Sequence, residues 1–428
     1  MDIARLLTAE HISELSMCHI PAIIKMMERG RDEANVVREA CGGLLYLACH
    51  NDNRKTIAKM GGIKVILDGM KRHVEDAGIQ GAGSALLLNL IGPDNDNEKT
   101  ITKMGGIKVI LDGMRMHESD ADNQRIGCNA LAHLALDNLD NARSIAEMGG
   151  IKVVLDAMKR YESNAGVQTS GCAALCTLMK SYESNAGVQT YGCGALCTFN
   201  LSHDIRKTIV KLGGIKVILD AMKRHESNAD VQHKGCGALW DLALNDDDKI
   251  TIAKMGGIKV ILDAIKRHEI NVDVQKEGCN TLGNLAINED NRKTIAKMGG
   301  IKVILNVMKT HESDADAQVK CCVALGNLAK NKNNMKIIAK MGGLKVVLDA
   351  MKRYKSNVHV QSYGVAVLMV LALTDDDIQK TIAKMGGIKV ILDAMKRHEA
   401  NFNVQAMGRR ALWKIVSMGR CHHCCCGG

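Results

Sequence analysis

The chain has 428 residues, 46% of them apolar and 24% charged, with a formal net charge of +10. This balance suits a soluble protein with a buried core. Aromatic residues make up only 2% and there are two prolines, which favours helices over sheets. The longest apolar run, near 365–373, is too short to cross a bilayer. The positive charge is spread along the chain, so it permits acidic partners without demanding nucleic acid.

The N-terminal stretch MDIARLLTAEHISELSM has neither a basic start nor an apolar run of the kind that begins a secretory signal. Sixteen cysteines occur, twelve of them inside helical patterns. That usage predicts a reducing, cytoplasmic setting and is also compatible with the nucleus. Residues 11–50 read as two helices, HIPAIIKMM and ANVVREACGGLLYLA, and form a degenerate first copy of a repeated unit.

From residue 51 onward the chain repeats itself. A Gly-Gly pair, nearly always in MGGIKV, begins at 61, 105, 149, 213, 256, 299, 342 and 386, and all but one of the steps are 43 or 44 residues. In the unit spanning 289–331 the spacing predicts three helices. The first, over 291–298, starts from an Asp/Asn cap and is closed by Gly299 and Gly300. The second, over 301–311, places Ile301, Ile304, Leu305 and Met308 on one face. The third, over 315–330, is capped by Ser313 or Asp314 and carries Val319, Cys322, Leu325 and Leu328 as its apolar stripe. A period of this length built from helices indicates an α-solenoid.

The pattern N-x-x-x-I-x-x-x-GGI-x-x-(I/V)L followed by V-x-x-x-x-x-AL-x-NLA resembles the armadillo repeat. The variant VQ…GC.AL..LA…GGIK.ILDAMK.H is similar to armadillo units of protist repeat proteins and of leucine-rich-repeat kinases. The resemblance runs over about 11–418. It implies an all-α, armadillo-type solenoid, a right-handed superhelix of about nine three-helix repeats. The expected organisation is a cap and degenerate first repeat in 1–50, repeats in 51–160 and 203–419, and a tail in 420–428. Between the repeats, 161–202 holds two consecutive 21-residue copies of YESNAGVQT.GC.ALCT. Each copy is a loop plus third helix, and together they account for the one step of 64 residues. They are expected to disturb the stack, with one surplus helix over 167–182. The end of that helix, CTLMKSYESNAG, imitates the end of a second helix, LDAMKRYESNAG.

Two ladders invite a chemical reading. His73, His117, Tyr161, His225, His268, His311, Tyr354 and His398 recur near the end of the second helix. Rungs about a helix diameter apart, with Tyr replacing His, fit packing or helix-end capping and not zinc, whose bonds to nitrogen are about 2.0–2.1 Å. Cys41, Cys128, Cys172, Cys193, Cys236, Cys279 and Cys322 recur on the third helix, with Ser84 or Val365 elsewhere, as tight-packing residues do. The glycine that precedes the cysteine, as in Gly127, Gly235 and Gly278, signals a helix packed too close for a methyl group. No phosphate-binding loop, zinc-protease or nucleophile-elbow motif is present, so neither catalysis nor a cofactor is expected. The tail CHHCCCGG is read as a disordered end, a metal-binding fragment, or a lipidation site at Cys425 and Cys426.

In armadillo proteins the third helices line a concave groove whose Asn holds an extended partner, and the resemblance carries that role to the matching positions here. They are Asn89, Asn284 and Asn327, with His133, Asp241 and Lys414 in other repeats. One and two turns earlier on the same helices stand Asn129 and Arg125, Asn280 and Lys276, and His233, joined by Arg38 and Arg410. The Trp–Asn ladder of nuclear-import adaptors is absent, and the basic lining disfavours basic peptides. The expected function is a non-enzymatic, monomeric scaffold that binds an acidic or neutral protein segment, extended or helical, in this groove. The alternative is binding of nucleic acid or anionic membrane through the Lys-rich ridge of second helices, with membrane contact otherwise dependent on lipidated tail cysteines. The near absence of stacking aromatics counts against nucleic acid.

Overall fold

The computed structural model describes residue 7 and residues 11–91, 97–198, 203–373 and 375–421, and every regular element among them is a helix. The chain divides into two compact units, Met1–Val217 and Ile218–Gly428. No helix of the described residues is long and apolar enough to cross a membrane.

In the first unit the short 3-10 turns Ile12–Glu14 and Met17–His19 lead into the helix pair Ile20–Arg29 and Ala34–Leu47. Three complete repeats follow, beginning with Asn51–Lys59, Asn97–Lys103 and Leu139–Glu147. The second unit contains four complete repeats, beginning with Asp246–Lys254, Glu289–Lys297, Lys332–Lys340 and Asp376–Lys384. Within each unit, third helices of successive repeats pack directly on one another.

The helix boundaries follow from the chain's local chemistry. In the repeat from 289, the first helix, Glu289–Lys297, begins slightly earlier than the sequence suggests because Asn288 caps it, accepting from the amides of Asp290 and Asn291 at 3.1 and 3.2 Å. Asp314, not Ser313, caps the third helix, Ala315–Leu328, by accepting from Ala317 N at 2.8 Å. The first glycine of each Gly-Gly pair has φ between 75° and 83°, a conformation that an L side chain resists. The second glycine sits where a Cβ would press on the preceding isoleucine. At Gly257 it would lie 2.5 Å from Ile252 Cγ2 and 2.7 Å from Ile252 O. The pair therefore turns the chain from first to second helix in the smallest possible space.

The second helix is one-sided. In Gly257–Arg267, Ile258, Ile261, Leu262 and Ile265 are buried, while Lys259, Asp263, Lys266 and Arg267 alternate with them. The third helix is buried over much more of its circumference, as Val274, Gly278, Cys279, Thr281, Leu282 and Leu285 of Val272–Leu285 show. The glycine before the cysteine touches the second helix as expected. A Cβ on Gly83, Gly127, Gly171, Gly192, Gly235, Gly364 or Gly408 would fall 2.2–2.6 Å from a methionine side chain, and on Gly278 it would fall 2.5 Å from Ile265.

A helix ends with carbonyls that have no partner in the helix itself, and in this protein amide side chains supply them. The glutamine of the VQ motif, one turn before the cysteine, is buried and donates Nε2 back to two carbonyls at the end of the second helix. Gln275 reaches Ile265 O at 2.7 Å and His268 O at 2.8 Å. Gln80, Gln124, Gln168, Gln189, Gln232, Gln318, Gln361 and Gln405 make the same pair of bonds. Buried asparagines of the first helix treat the preceding third helix in the same way: Asn53, Asn97, Asn141 and Asn334 donate to Leu47 O, Leu90 O, Leu134 O and Leu328 O at 2.8–3.0 Å.

The surplus helix is observed as Ala165–Ser181, and it works twice. As a third helix, it uses Gln168 to close the end of Gly150–Arg160 at Met158 O and Tyr161 O. As a second helix, it offers its own end, Met179 O and Tyr182 O, to Gln189 of Ala186–Thr198 at 2.9 and 3.1 Å. Met179 also covers Gly192 as Met158 covers Gly171.

Two substitutions test this packing. Gln275→Leu keeps the volume but strands the buried Ile265 carbonyl, while His268 O keeps its bond from Asn271 N at 2.9 Å, and it should cost about 1–2 kcal/mol. Gly278→Leu forces a side chain into Ile265 and should cost about 1–3 kcal/mol. Denaturant midpoints followed by circular dichroism should fall for both; an unchanged midpoint for either would remove the corresponding contact from this account.

Candidate partner-binding surface of the third helices

The positions assigned to the groove fall on two separate strips, one in each unit. In the first unit, Arg125, Asn129 and His133 stand at successive turns of Ala121–Ala135, with Asn89 on Ala77–Leu90 and Arg38 on Ala34–Leu47. In the second, Lys276, Asn280 and Asn284 share Val272–Leu285, flanked by His233 and Asp241 on Ala229–Leu242. Asn327 lies on Ala315–Leu328, and Arg410 and Lys414 lie on Phe402–Cys421. All thirteen are half-buried or exposed.

Several of these side chains are committed within the protein. Asn284 Nδ2 donates to Trp240 O and Ala243 O at 3.2 and 3.0 Å, and Asn327 Nδ2 donates to Gly283 O at 2.9 Å. Both amides tie one third helix to the preceding one: Asn284 uses both of its N–H donors in this way and Asn327 uses one. His133 Nδ1 lies 2.9 Å from Asn129 O, one turn away. Arg125 pairs with Asp122 at 3.1 Å. Burial works against the charge of Lys276, but the hydrogen bond and attraction of Asp273, 3.1 Å away, hold its pKa above the usual lysine value. Burial and, next, the charge of Lys234 push the His233 pKa down, which favours its neutral form near neutral pH. Arg38 reaches into the next repeat, where it grips Asp76, the cap of Ala77–Leu90, and also Asn35 Oδ1 at 3.1 Å.

The third helices also carry exposed aromatics: Tyr46 stands at the groove position of the first repeat, and Trp240 and Trp413 each stand one residue before theirs. The chain has ten Phe, Trp and Tyr residues, and Tyr46, Tyr191, Trp240, Tyr363, Phe402 and Trp413 are exposed on third helices, with Trp413 at 66% and Phe402, at the start of its helix, at 81%. Relative to the clamp glutamine, the tyrosines at 191 and 363 stand two residues later and the tryptophans eight later. At 100° per residue these positions flank those of Lys276, Asn280 and Asn284 on one side of the helix. Lys414 Nζ lies 5.0 Å from the Trp413 ring centroid. The available signal was scarcity itself: few aromatics occur, and these fall off the core stripe.

The His/Tyr ladder is structural. His73, His117, His268, His311 and His398 donate Nε2 to Arg31 O, Val74 O, Glu226 O, Glu269 O and Lys355 O at 2.7–2.9 Å. Tyr354 donates its hydroxyl to Glu312 O at 3.0 Å. Each bond reaches the loop of the preceding repeat, which explains why Tyr substitutes for His: both place a donor at the tip of a flat ring. The cysteine ladder is buried, and burial pushes the thiols of Cys41, Cys128 and Cys322 up to about 12. Such thiols stay protonated and unreactive. Among the described residues no group of three His, Cys, Asp or Glu side chains converges as metal ligands would. Cys425 and Cys426 lie outside the described residues.

Comparison with known proteins places the repeated motif. A family model described as the LRRK2 ARM repeat matches residues 179–385. Protein aardvark of Dictyostelium discoideum is 36% identical over 80 residues, which is 17% of this chain and 11% of that protein; the match thus spans about a tenth of that relative. A structure from work on a phosphorylation switch that controls the interaction between cadherin and beta-catenin superposes with a TM-score of 0.52 at 14% identity, over 94% of this chain and 83% of that one. An engineered protein superposes with a TM-score of 0.51 at 24% identity, over 57% of this chain and 96% of that one. At these identities the structural likeness concerns fold alone, and the fold is the armadillo-type α-solenoid that the motif implied.

The Arg38–Asp76 contact gives a pH-dependent test. The hydrogen bond from Arg38 holds the Asp76 carboxyl below the usual carboxylate range, assisted by the amide of Ile79. A depressed folded pKa gives stability that is present above the unfolded value, about 3.9, and lost as pH falls through the folded one. Asp76→Asn keeps a capping oxygen and loses the charge, so at pH 7 it should cost under about 1 kcal/mol. Asp76→Ala loses the cap as well and should cost more, about 1–2 kcal/mol. Thermal melts at pH 7 and pH 3 should show the difference between wild type and Asp76→Asn narrowing in acid.

Proposed function

We propose that this armadillo-type chain is a non-enzymatic scaffold that holds an extended or helical protein segment against the outward faces of its third helices. The observation that carries this reading is that, among the described residues, the exposed aromatics are confined to those helices, with Trp240 on the helix packed against that of Lys276, Asn280 and Asn284. Aromatic and Arg side chains are the residues most enriched at the energetic centres of protein interfaces. Asn284 spends both of its N–H donors on the neighbouring helix, and so it contributes shape and an acceptor oxygen, whereas Asn327 spends one. The cationic members favour an acidic or neutral partner. The fold likeness to a structure from work on the interaction between cadherin and beta-catenin is consistent with a protein partner.

The ridge of second helices is the weaker surface for a long anion such as nucleic acid, because its arginines are largely neutralised from within. Arg72 pairs with Asp32, and Arg160, Arg267 and Arg353 pair with Glu118, Glu226 and Glu312 at 2.8–3.0 Å.

Affinity capture of the tagged full chain, followed by cross-linking and mass spectrometry, tests the proposal. Partner peptides should cross-link to the third-helix strips. Trp240→Ala or the pair Arg125→Glu and Lys276→Glu should reduce their recovery at least about fivefold without changing the melting temperature by more than a few degrees. Recovery unchanged in both variants would exclude these strips as the binding site.

A further inference from the structure

The second helices of adjacent repeats meet along the ridge through a recurring contact, and two copies put a cation in the loop: at the first, where the loop residue is Arg31, Arg72 pairs with the neighbouring Asp32 instead, and at the last no acid takes that place. In the usual copy, the His or Tyr that ends a second helix donates to the backbone of the residue just past the end of the preceding second helix. The arginine beside that His or Tyr then meets the acidic side chain of the same preceding loop. Arg267 meets Glu226 at 3.0 Å, and Arg353 meets Glu312 at 2.8 Å. Where the loop residue is apolar, as at Val74, the facing position is Met116 rather than Arg. Where the loop keeps Glu269, the facing position is Thr310.

Between the last two repeats the same backbone bond is made, His398 Nε2 to Lys355 O at 2.9 Å, but the loop residue is lysine and the facing residue is Arg397. Cation thus stands opposite cation. Lys355, Lys389, Lys396 and Arg397 have no ion pair among the described residues. All four are exposed around a hollow of about 730 Å³, which is also lined by Lys352 and, as its one acid, Asp393. The corresponding hollow between Gly106–Met116 and Gly150–Arg160 holds Arg115, Lys159 and Arg160 against Glu118 and Asp156. The next, beside Gly300–Thr310, has Lys266 against Glu269. Lys352 is partly answered by Asp349 at 3.8 Å, but four cations without an ion pair against one acid, in a pocket of small-molecule size, are a counter-charge deficit that the described residues do not fill.

We propose that this hollow binds a compact, multiply charged phosphate group, either of a soluble polyphosphorylated molecule or of a lipid headgroup. Several lysines converging with one arginine can each donate to phosphate oxygens, and Arg397 can do so bidentately. Removing the inverted charge should restore the ordinary contact of the other repeats, so the key variant is a repair and not a lesion.

The test uses the full chain and inorganic tripolyphosphate, titrated by calorimetry at about 150 mM salt, where loosely screened surface attraction is weak. Wild type should bind one equivalent saturably. Lys355→Glu should weaken binding about tenfold or more while its melting temperature stays equal or rises. Lys389→Glu, on the opposite wall, should weaken it as well. Lys302→Glu, the matching position two repeats earlier in Gly300–Thr310, should not. Flotation with neutral vesicles, with and without a phosphoinositide, identifies the source: vesicle binding lost in Lys355→Glu marks a headgroup, and tripolyphosphate binding alone marks a soluble ligand. Absence of saturable binding in both assays, or equal binding by wild type and Lys355→Glu, overturns the proposal.

Discussion

A carbonyl left without a donor at the end of a buried helix is what this architecture must avoid at every repeat, and one glutamine side chain answers it. Its two bonds, to the carbonyls ten and seven residues back, close the second helix and fix the angle at which the third helix leaves it. The methionine-over-glycine contact follows from that angle, because it lets the two helices approach within the width of a missing methyl group. The next contact outward, from His or Tyr to the preceding loop, depends on the helix end being held where the glutamine puts it. Stability is therefore assembled from short-range bonds within a repeat or between neighbours, as expected of a quasi-one-dimensional protein.

Much of this was legible in the sequence. The Gly-Gly pair, the period and the apolar spacing gave the three helices to within a turn. The glycine beside Cys279 announced a close approach, which Ile265 supplies. The partners of the repeated polar residues were not legible. His268 could be read as a packing or capping residue, but not as a donor to Glu226 O, because that bond joins residues 42 apart whose proximity exists only after stacking. Gln275 stands beside Lys276, as a solvated glutamine would; its burial appears only once the second helix has folded back on it. The same limit applies to the candidate surface. Spacing located Asn284 and Asn327 on the third helices, but not that their amides are bound to the preceding repeat.

Charge shows the same division between local and non-local information. The run of basic residues along the second helices reads as a continuous positive ridge in one dimension. In three dimensions Arg160, Arg267 and Arg353 each meet a glutamate from the repeat before. The pairs are exposed and individually weak, but their regularity makes the exception at Lys355 conspicuous. A repetitive molecule supplies its own controls: each rung is a measurement of what its neighbours tolerate.

The helix Ala165–Ser181 has a consequence for how such chains grow. It accepts the role of a third helix at one end and of a second helix at the other, because both of its ends carry the bonds that those roles require. What a duplication has to preserve is therefore the junction between two helices, with its glutamine, glycine and methionine, and not the whole repeat. Unequal recombination within this coding sequence could add or remove lengths of half a repeat at any such junction and still leave every new helix end satisfied.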